Sequence, residues 1–202
     1  EHFYAKFPHL RSKRIVLFLG RLHVKKGPDL LLRAFARLMP SFSGMSGQPL
    51  HLVMAGPNEH AYGREMQALA RQLGLGSDLI TWTGMLQGDL KWGAFHAAEA
   101  FILPSHQENF GIAVAEALSA GVPVLLGKGV NIWPEIVRDS AGLVEEDSLD
   151  GTYGLLMQWF EKSSADIRHM RACATRCFVA RYRLDHVGAS LRNVLVDGIG
   201  KA

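Results

Sequence analysis

The segment Gly20-Arg21-Leu22-His23-Val24-Lys25-Lys26-Gly27 puts one guanidinium and two ammonium groups between two glycines. A diphosphate is gripped best by a planar donor fork together with a compact cation, and Arg21 with Lys26 or Lys25 supplies both. Standing alone, such a segment reads better as a solvated basic loop. A second segment, Pro104-Ser105-His106-Gln107-Glu108-Asn109, leads into residues 110–120, which are apolar apart from Glu116 and Ser119. A helix with no polar face belongs inside a protein, and a carboxylate there needs hydrogen-bond donors. Either ligand hydroxyls or a structural Arg or Lys partner would meet that need for Glu116. Glu108 precedes the same helix. It repels phosphate, so it suits neutral hydroxyls or acid–base work; the blander role is partner to the helix dipole. From helix start to Glu116 the rise is about 9 Å. Two carboxylates flanking the amides of Asn109, Phe110 and Gly111 match a nucleotide sugar in outline, with one for ribose, one for the sugar and the amides for phosphate.

These loops need a scaffold, and the hydrophobic pattern describes one. Residues 15–19, 50–55, 79–83, 100–103 and 122–126 are short and almost wholly apolar, as strands covered on both faces must be; 142–144 is a shorter sixth candidate. Helix-periodic stretches at 28–39, 62–73, 89–98 and 110–120 lie between them. The first opens with Pro28-Asp29 and sets Leu31, Ala34, Phe35 and Leu38 on one face. This alternation predicts an α/β domain, a Rossmann-like parallel sheet with helices on both faces and right-handed crossovers. Ligands of such sheets bind at the carboxyl ends of the strands, where the segments after 19 and 103 fall. From residue 150 onward only helices are expected, at 150–162, 164–180 and 185–198. Residues 1–13 read as a lead-in broken at Pro8. The expected division is therefore 1–13, a core of 14–180, and a C-terminal helix within 181–202.

Composition excludes several classes. The chain has 202 residues, 48% hydrophobic and 20% charged, with a net charge of +3. An excess that small argues against a nucleic-acid footprint, and the apolar content argues against disorder. Residues 110–127, the most membrane-like stretch, carry Glu116, Gly121 and Pro123 and read as helix, turn and strand, so no transmembrane segment is expected. Residues 1–4 lack signal-peptide character. The two cysteines, Cys173 and Cys177, share a helix face without zinc-site spacing, favouring a reduced cytosolic setting. The nine histidines are scattered without a metal motif. His106, Lys128 and Asn131 are outside candidates for ligand contact. The first loop lacks Gly-x-Gly-x-x-Gly and an acidic ribose reader follows no second strand, which disfavours a dinucleotide oxidoreductase.

Gly-Arg-Leu-x-x-x-Lys-Gly at 20–27, Pro-Ser-x-x-Glu-Asn-Phe-Gly at 104–111, Glu-x7-Glu at 108 and 116, and Glu-Ala-Leu-Ser-Ala-Gly-Val-Pro-Val at 116–124 together resemble the retaining glycosyltransferases of family 4. The resemblance runs from about 14 to 195. It implies the GT-B architecture, two Rossmann-like domains facing across a cleft, with this chain as the C-terminal, donor-binding half. The implied partners are a nucleoside-diphosphate-sugar donor and, through an N-terminal domain, a saccharide or lipid-linked acceptor of polysaccharide or glycoconjugate assembly. Carried over by position, Arg21 and Lys26 would grip the diphosphate beside Gly20, Glu108 the sugar and Glu116 the ribose. Amides from Asn109 through Phe110 to Gly111 would meet phosphate or sugar oxygens, and the backbone at Met85 and Leu86 the base. Transfer with retention needs neither metal nor other cofactor in this family. The implied location is cytoplasmic, with peripheral membrane contact through the other domain, onto which the helix at 185–198 would pack. Without that domain, donor binding but inefficient transfer is expected. The alternative is a non-catalytic nucleotide-sugar-binding module or subunit.

Overall fold

The computed structural model describes residues 1–42 and 48–183. Six strands form one sheet: β1 (Arg14–Leu19), β2 (Leu50–Ala55), β3 (Ile80–Gly84), β4 (Ala98–Leu103), β5 (Val124–Gly127) and β6 (Gly142–Glu145). All neighbours pair in parallel, in the order β3-β2-β1-β4-β5-β6. The helices are α1 (His2–Lys6), α2 (Pro28–Leu38), α3 (Ala61–Gln72), α4 (Gly88–Ala97), α5 (Ile112–Ser119), α6 (Trp133–Arg138), α7 (Leu149–Phe160) and α8 (Ser164–Arg181). They cover both faces: α2 packs on α3 and α7, α1 on α4, and α5 on α8. This is the Rossmann-like arrangement the pattern predicted.

The central strands are buried throughout their middles because both faces carry helices. Val16, Leu17, Phe18, Leu52, Val53, Phe101, Ile102, Leu125 and Leu126 have essentially no exposed surface. Each such side chain contributes about 1.5–3 kcal/mol of burial, which is why the apolar runs are so uniform. Helix α2 starts where Gly27 turns left-handed (φ 64°) and Pro28 takes the first helical position. A Cβ on Gly27 would stand 2.2 Å from the Pro104 carbonyl oxygen, so the first and fourth loops can meet only over a glycine.

Several element boundaries move. β4 begins at Ala98 because α4 stops at Ala97, and β5 begins only after Pro123, which cannot donate to the ladder. Residues 133–138 form a short helix between β5 and β6. The lead-in is itself helical at α1, and Phe3 is buried against Gly93 of α4. The expected helix at 185–198 lies outside the described residues.

The larger correction concerns residues 110–120. Helix α5 starts at Ile112, because Gly111 adopts φ 72° and ends any helical run ahead of it. Nor does the helix lie wholly inside: Ile112 is 71% exposed and Ala113 half-buried, while Val114, Ala117 and Leu118 face the core. Its axial rise from first residue to Glu116 shrinks to about 6 Å.

Candidate functional site

Successive strands run outward from β1 to β2 and β3, and β4 returns to the opposite side of β1. A crevice opens at such a reversal, beyond the carboxyl ends of the strands. Backbone hydrogen bonds sew the loops there into one rim. Gly20 N–H donates to the Ala55 carbonyl and Gly56 N–H to that of Gly84, both at 2.9 Å. A Cβ on Gly56 would lie 1.9 Å from the Gly20 carbonyl oxygen, so the first two loops cross at contact distance. The Lys25 carbonyl accepts from the Ser105 hydroxyl at 2.7 Å and from His106 N–H at 2.8 Å, tying the first loop to the fourth. Glu108 N–H donates to Gly129 and Asn131 N–H to Glu108, tying the fourth loop to the fifth.

Two cavities open along this rim. The larger, about 510 Å³, is lined by Leu19, Gly20, Arg21, Ala55, Gly56, Pro57, Met85, Leu86, Gln87, Gly88, Lys91, Ile112, Ala113 and Glu116. It is mostly apolar with a few polar groups, and its size is that of a small-molecule site. The smaller, about 250 Å³, is polar and lined by Arg21, His23, Lys25, Lys26, Gln107, Glu108 and Asn109. Arg21 borders both. One end of the crevice is thus apolar and one cationic, with a guanidinium at the joint.

Of the residues singled out from sequence, Gly20, Arg21, Met85, Leu86 and Glu116 line the first cavity; Arg21, Lys26, Glu108 and Asn109 line the second. Phe110 and Gly111 line neither. Phe110 turns its ring edge-on to Tyr182, with centroids 5.5 Å apart, and Gly111 is the buried left-handed residue before α5. His106 pairs with Asp147 at 2.9 Å and Lys128 with Glu146, so both have partners outside the crevice.

Each carboxylate of the crevice carries its own lysine. Lys26 is in direct contact with Glu108, and Lys91 Nζ lies 2.6 Å from Glu116 Oε1. The donor that Glu116 required is therefore a side chain on α4. Burial, then the neighbouring Arg21 charge, lowers the Lys26 pKa. Residue types alone did not single out Lys91, Pro57 or Ile112. Lys91 sits one turn into α4, just past the Met85–Gln87 segment, and that position was its only signal. Among the described residues no cluster of three potential metal ligands occurs, and no helix is long and apolar enough to cross a membrane.

Residues 3–175 match the family described as Glycosyl transferases group 1. The D-inositol 3-phosphate glycosyltransferase of Segniliparus rotundus is 32% identical over 190 residues, which cover 93% of this chain and 39% of that protein. The chain thus spans about two fifths of that relative's length. Among solved structures, HepE of Anabaena, in complex with UDP and glucose, superposes with a TM-score of 0.78 at 16% identity, covering 95% of this chain and 50% of HepE. The C-terminal domain of LpcC, a glycosyl transferase group 1 family protein of Francisella tularensis, does so with a TM-score of 0.71 at 20% identity, covering 89% and 91%. At these identities the structural likeness speaks to the fold, which is that of GT-B glycosyltransferases.

Proposed function

The chain belongs to the group 1 glycosyltransferase family, and from that premise we propose that it is the donor-binding half of a retaining enzyme of the family 4 type. The observation that carries this reading is the pair of neighbouring cavities, one apolar and one cationic, that share Arg21. In it the base lies against Met85 and Leu86, and Glu116 accepts from the ribose hydroxyls. Arg21 and Lys26 hold the diphosphate, and Glu108 with Asn109 meets the sugar. The alternation of chemistry along the crevice follows that of a nucleoside-diphosphate sugar.

Transfer breaks the bond from the anomeric carbon to the diphosphate oxygen, whose electron pair leaves with the nucleotide. The new bond to the acceptor oxygen forms on the same face, and the acceptor proton passes to the departing phosphate. Arg21 and Lys26 would stabilise the charge that develops there, the work of a metal ion in other transferases. No protein nucleophile or cofactor enters this scheme. The acceptor, a saccharide or lipid-linked saccharide, comes from a second Rossmann-like domain, and the setting is the cytoplasm or the cytoplasmic membrane face.

Calorimetry with UDP, GDP, ADP and NADH tests the reading. One nucleoside diphosphate should bind in the micromolar range or tighter, about −8 kcal/mol, while NADH gives no comparable heat. Tight NADH binding with silence from all three diphosphates would sink it.

A further inference from the structure

Glu116 is not alone at the apolar end of the crevice. Lys91, from α4, reaches across to it at 2.6 Å, and the two side chains are comparably shielded, at 25% and 22% exposure. Both line the larger cavity. The ammonium uses Oε1, and Oε2 accepts no hydrogen bond from any described residue. A carboxylate has about four lone-pair sites, so about three stay open toward the crevice. The lysine also rests beside the Trp92 ring, 5.1 Å from its centroid, which limits where the ammonium can swing.

A bare carboxylate in this place would have two faults. It would repel an arriving diphosphate, and its side chain would be free to turn away from the ligand. One ammonium on one oxygen corrects both and leaves the other oxygen free to accept. We propose that Lys91 is a positioning residue for nucleoside recognition: it clamps Glu116 so that the carboxylate reads the vicinal hydroxyls of a ribose. The inference rests on the reading of Glu116 as the ribose contact. It adds that the discrimination depends on a residue of α4, which acts on the ribose through Glu116.

The test is the ratio of affinities for ribose and deoxyribose ligands, by calorimetry on the full chain. UDP is compared with 2′-deoxy-UDP, with GDP and ADP and their 2′-deoxy forms run beside them. The wild-type protein should prefer ribose by about tenfold with the base that binds best, the value of one hydrogen bond to a charged group. Lys91→Met should bring that preference below about threefold, and Lys91→Arg should restore it. Lys91→Leu, which keeps apolar bulk and removes the donor, serves if the methionine variant does not fold. In a Glu116→Gln background, Lys91→Met should change the ratio no further, since the two act as one unit. A wild-type protein indifferent to the 2′-hydroxyl overturns the ribose reading of Glu116 itself. A wild-type preference that survives in Lys91→Met overturns the clamp alone, as does a further loss in the Glu116→Gln background.

Discussion

Lys26 and Glu108 neutralise each other across the smaller cavity, and a diphosphate entering it has to draw the ammonium away from the carboxylate. The contact is therefore a competitor to binding as well as a device that keeps two half-buried charges paired. The consequences for variants run in opposite directions. Lys26→Ala and Arg21→Ala should each weaken nucleoside-diphosphate binding by about 1.5–3 kcal/mol, the worth of hydrogen bonds to charged groups. Glu108→Gln keeps the shape, removes the rival charge, and should bind the nucleoside diphosphate at least as tightly as wild type, by up to about tenfold. It should lose that advantage when the same ligand carries its sugar, whose hydroxyls need the carboxylate. Calorimetry with the diphosphate and the diphosphate sugar separates the two effects. A Glu108→Gln variant that binds the bare diphosphate more weakly would show the carboxylate to be supporting the phosphate site.

Strand β2 carries a polar residue where the apolar pattern left no place for one. His51 is fully buried. Its Nδ1–H donates to the Asp78 carbonyl at 3.0 Å, and its Nε2 accepts from the Thr81 hydroxyl at 2.8 Å, which in turn lies 3.0 Å from His9 Nε2. That chain satisfies a neutral ring. Burial lowers its pKa to about 4, against the weaker pull of the Asp78 carbonyl. Between that value and the ordinary 6.5 the unfolded chain binds a proton and the folded one does not. The stabilisation is complete above pH 6.5 and is lost as pH falls toward 4, by at most about 3 kcal/mol. Urea midpoints across this range should show the decline in wild type and a flatter course in His51→Gln; equal slopes would refute it.

The same strand shows what the sequence could and could not reveal. Its bounds were legible because burial on both faces demands an unbroken apolar run, and the same holds for β1 and the body of β4. The start of α5 was not legible. Only the left-handed turn at Gly111 moves it to Ile112, and a glycine in a helix-periodic stretch does not announce its φ. The loops carrying Arg21, Lys26 and Glu108, and the helix carrying Glu116, could be placed at one rim from topology alone. Their partners could not, because the pairing of Glu116 with Lys91 spans two helices that the sequence does not dock. Arg14 makes the same point: it binds Glu99 in two places, at 2.6 and 2.8 Å, while Trp159 of α7 donates to that carboxylate at 3.0 Å. Three elements meet there, and each residue by itself reads as ordinary.

At the scale of the molecule, the described residues line the crevice along the sheet's rim and leave its outer side open. Met85 is 64% exposed and Ile112 71%, both on the lining of the larger cavity, so apolar surface faces outward at the proposed donor site. Holding a donor requires only the rim described above, because its contacts come from loops already sewn together. Transferring its sugar requires more: an acceptor oxygen fixed about 3–3.5 Å from the anomeric carbon, and water kept away from that carbon. Orientation of that kind supplies about 7–11 kcal/mol of barrier lowering, and among the described residues none is placed opposite this rim to provide it. The 202-residue chain should therefore bind its nucleoside-diphosphate sugar and release nucleotide from it very slowly. Supplying a matching N-terminal Rossmann-like domain, fused or in trans, should raise acceptor-dependent release by about a hundredfold or more, still a small part of that barrier. Nucleotide release is the quantity to follow, with and without candidate acceptors. Rapid acceptor-dependent release by the chain alone would mean that such a domain is dispensable, and that the catalytic geometry lies wholly within the loops between β1 and β5.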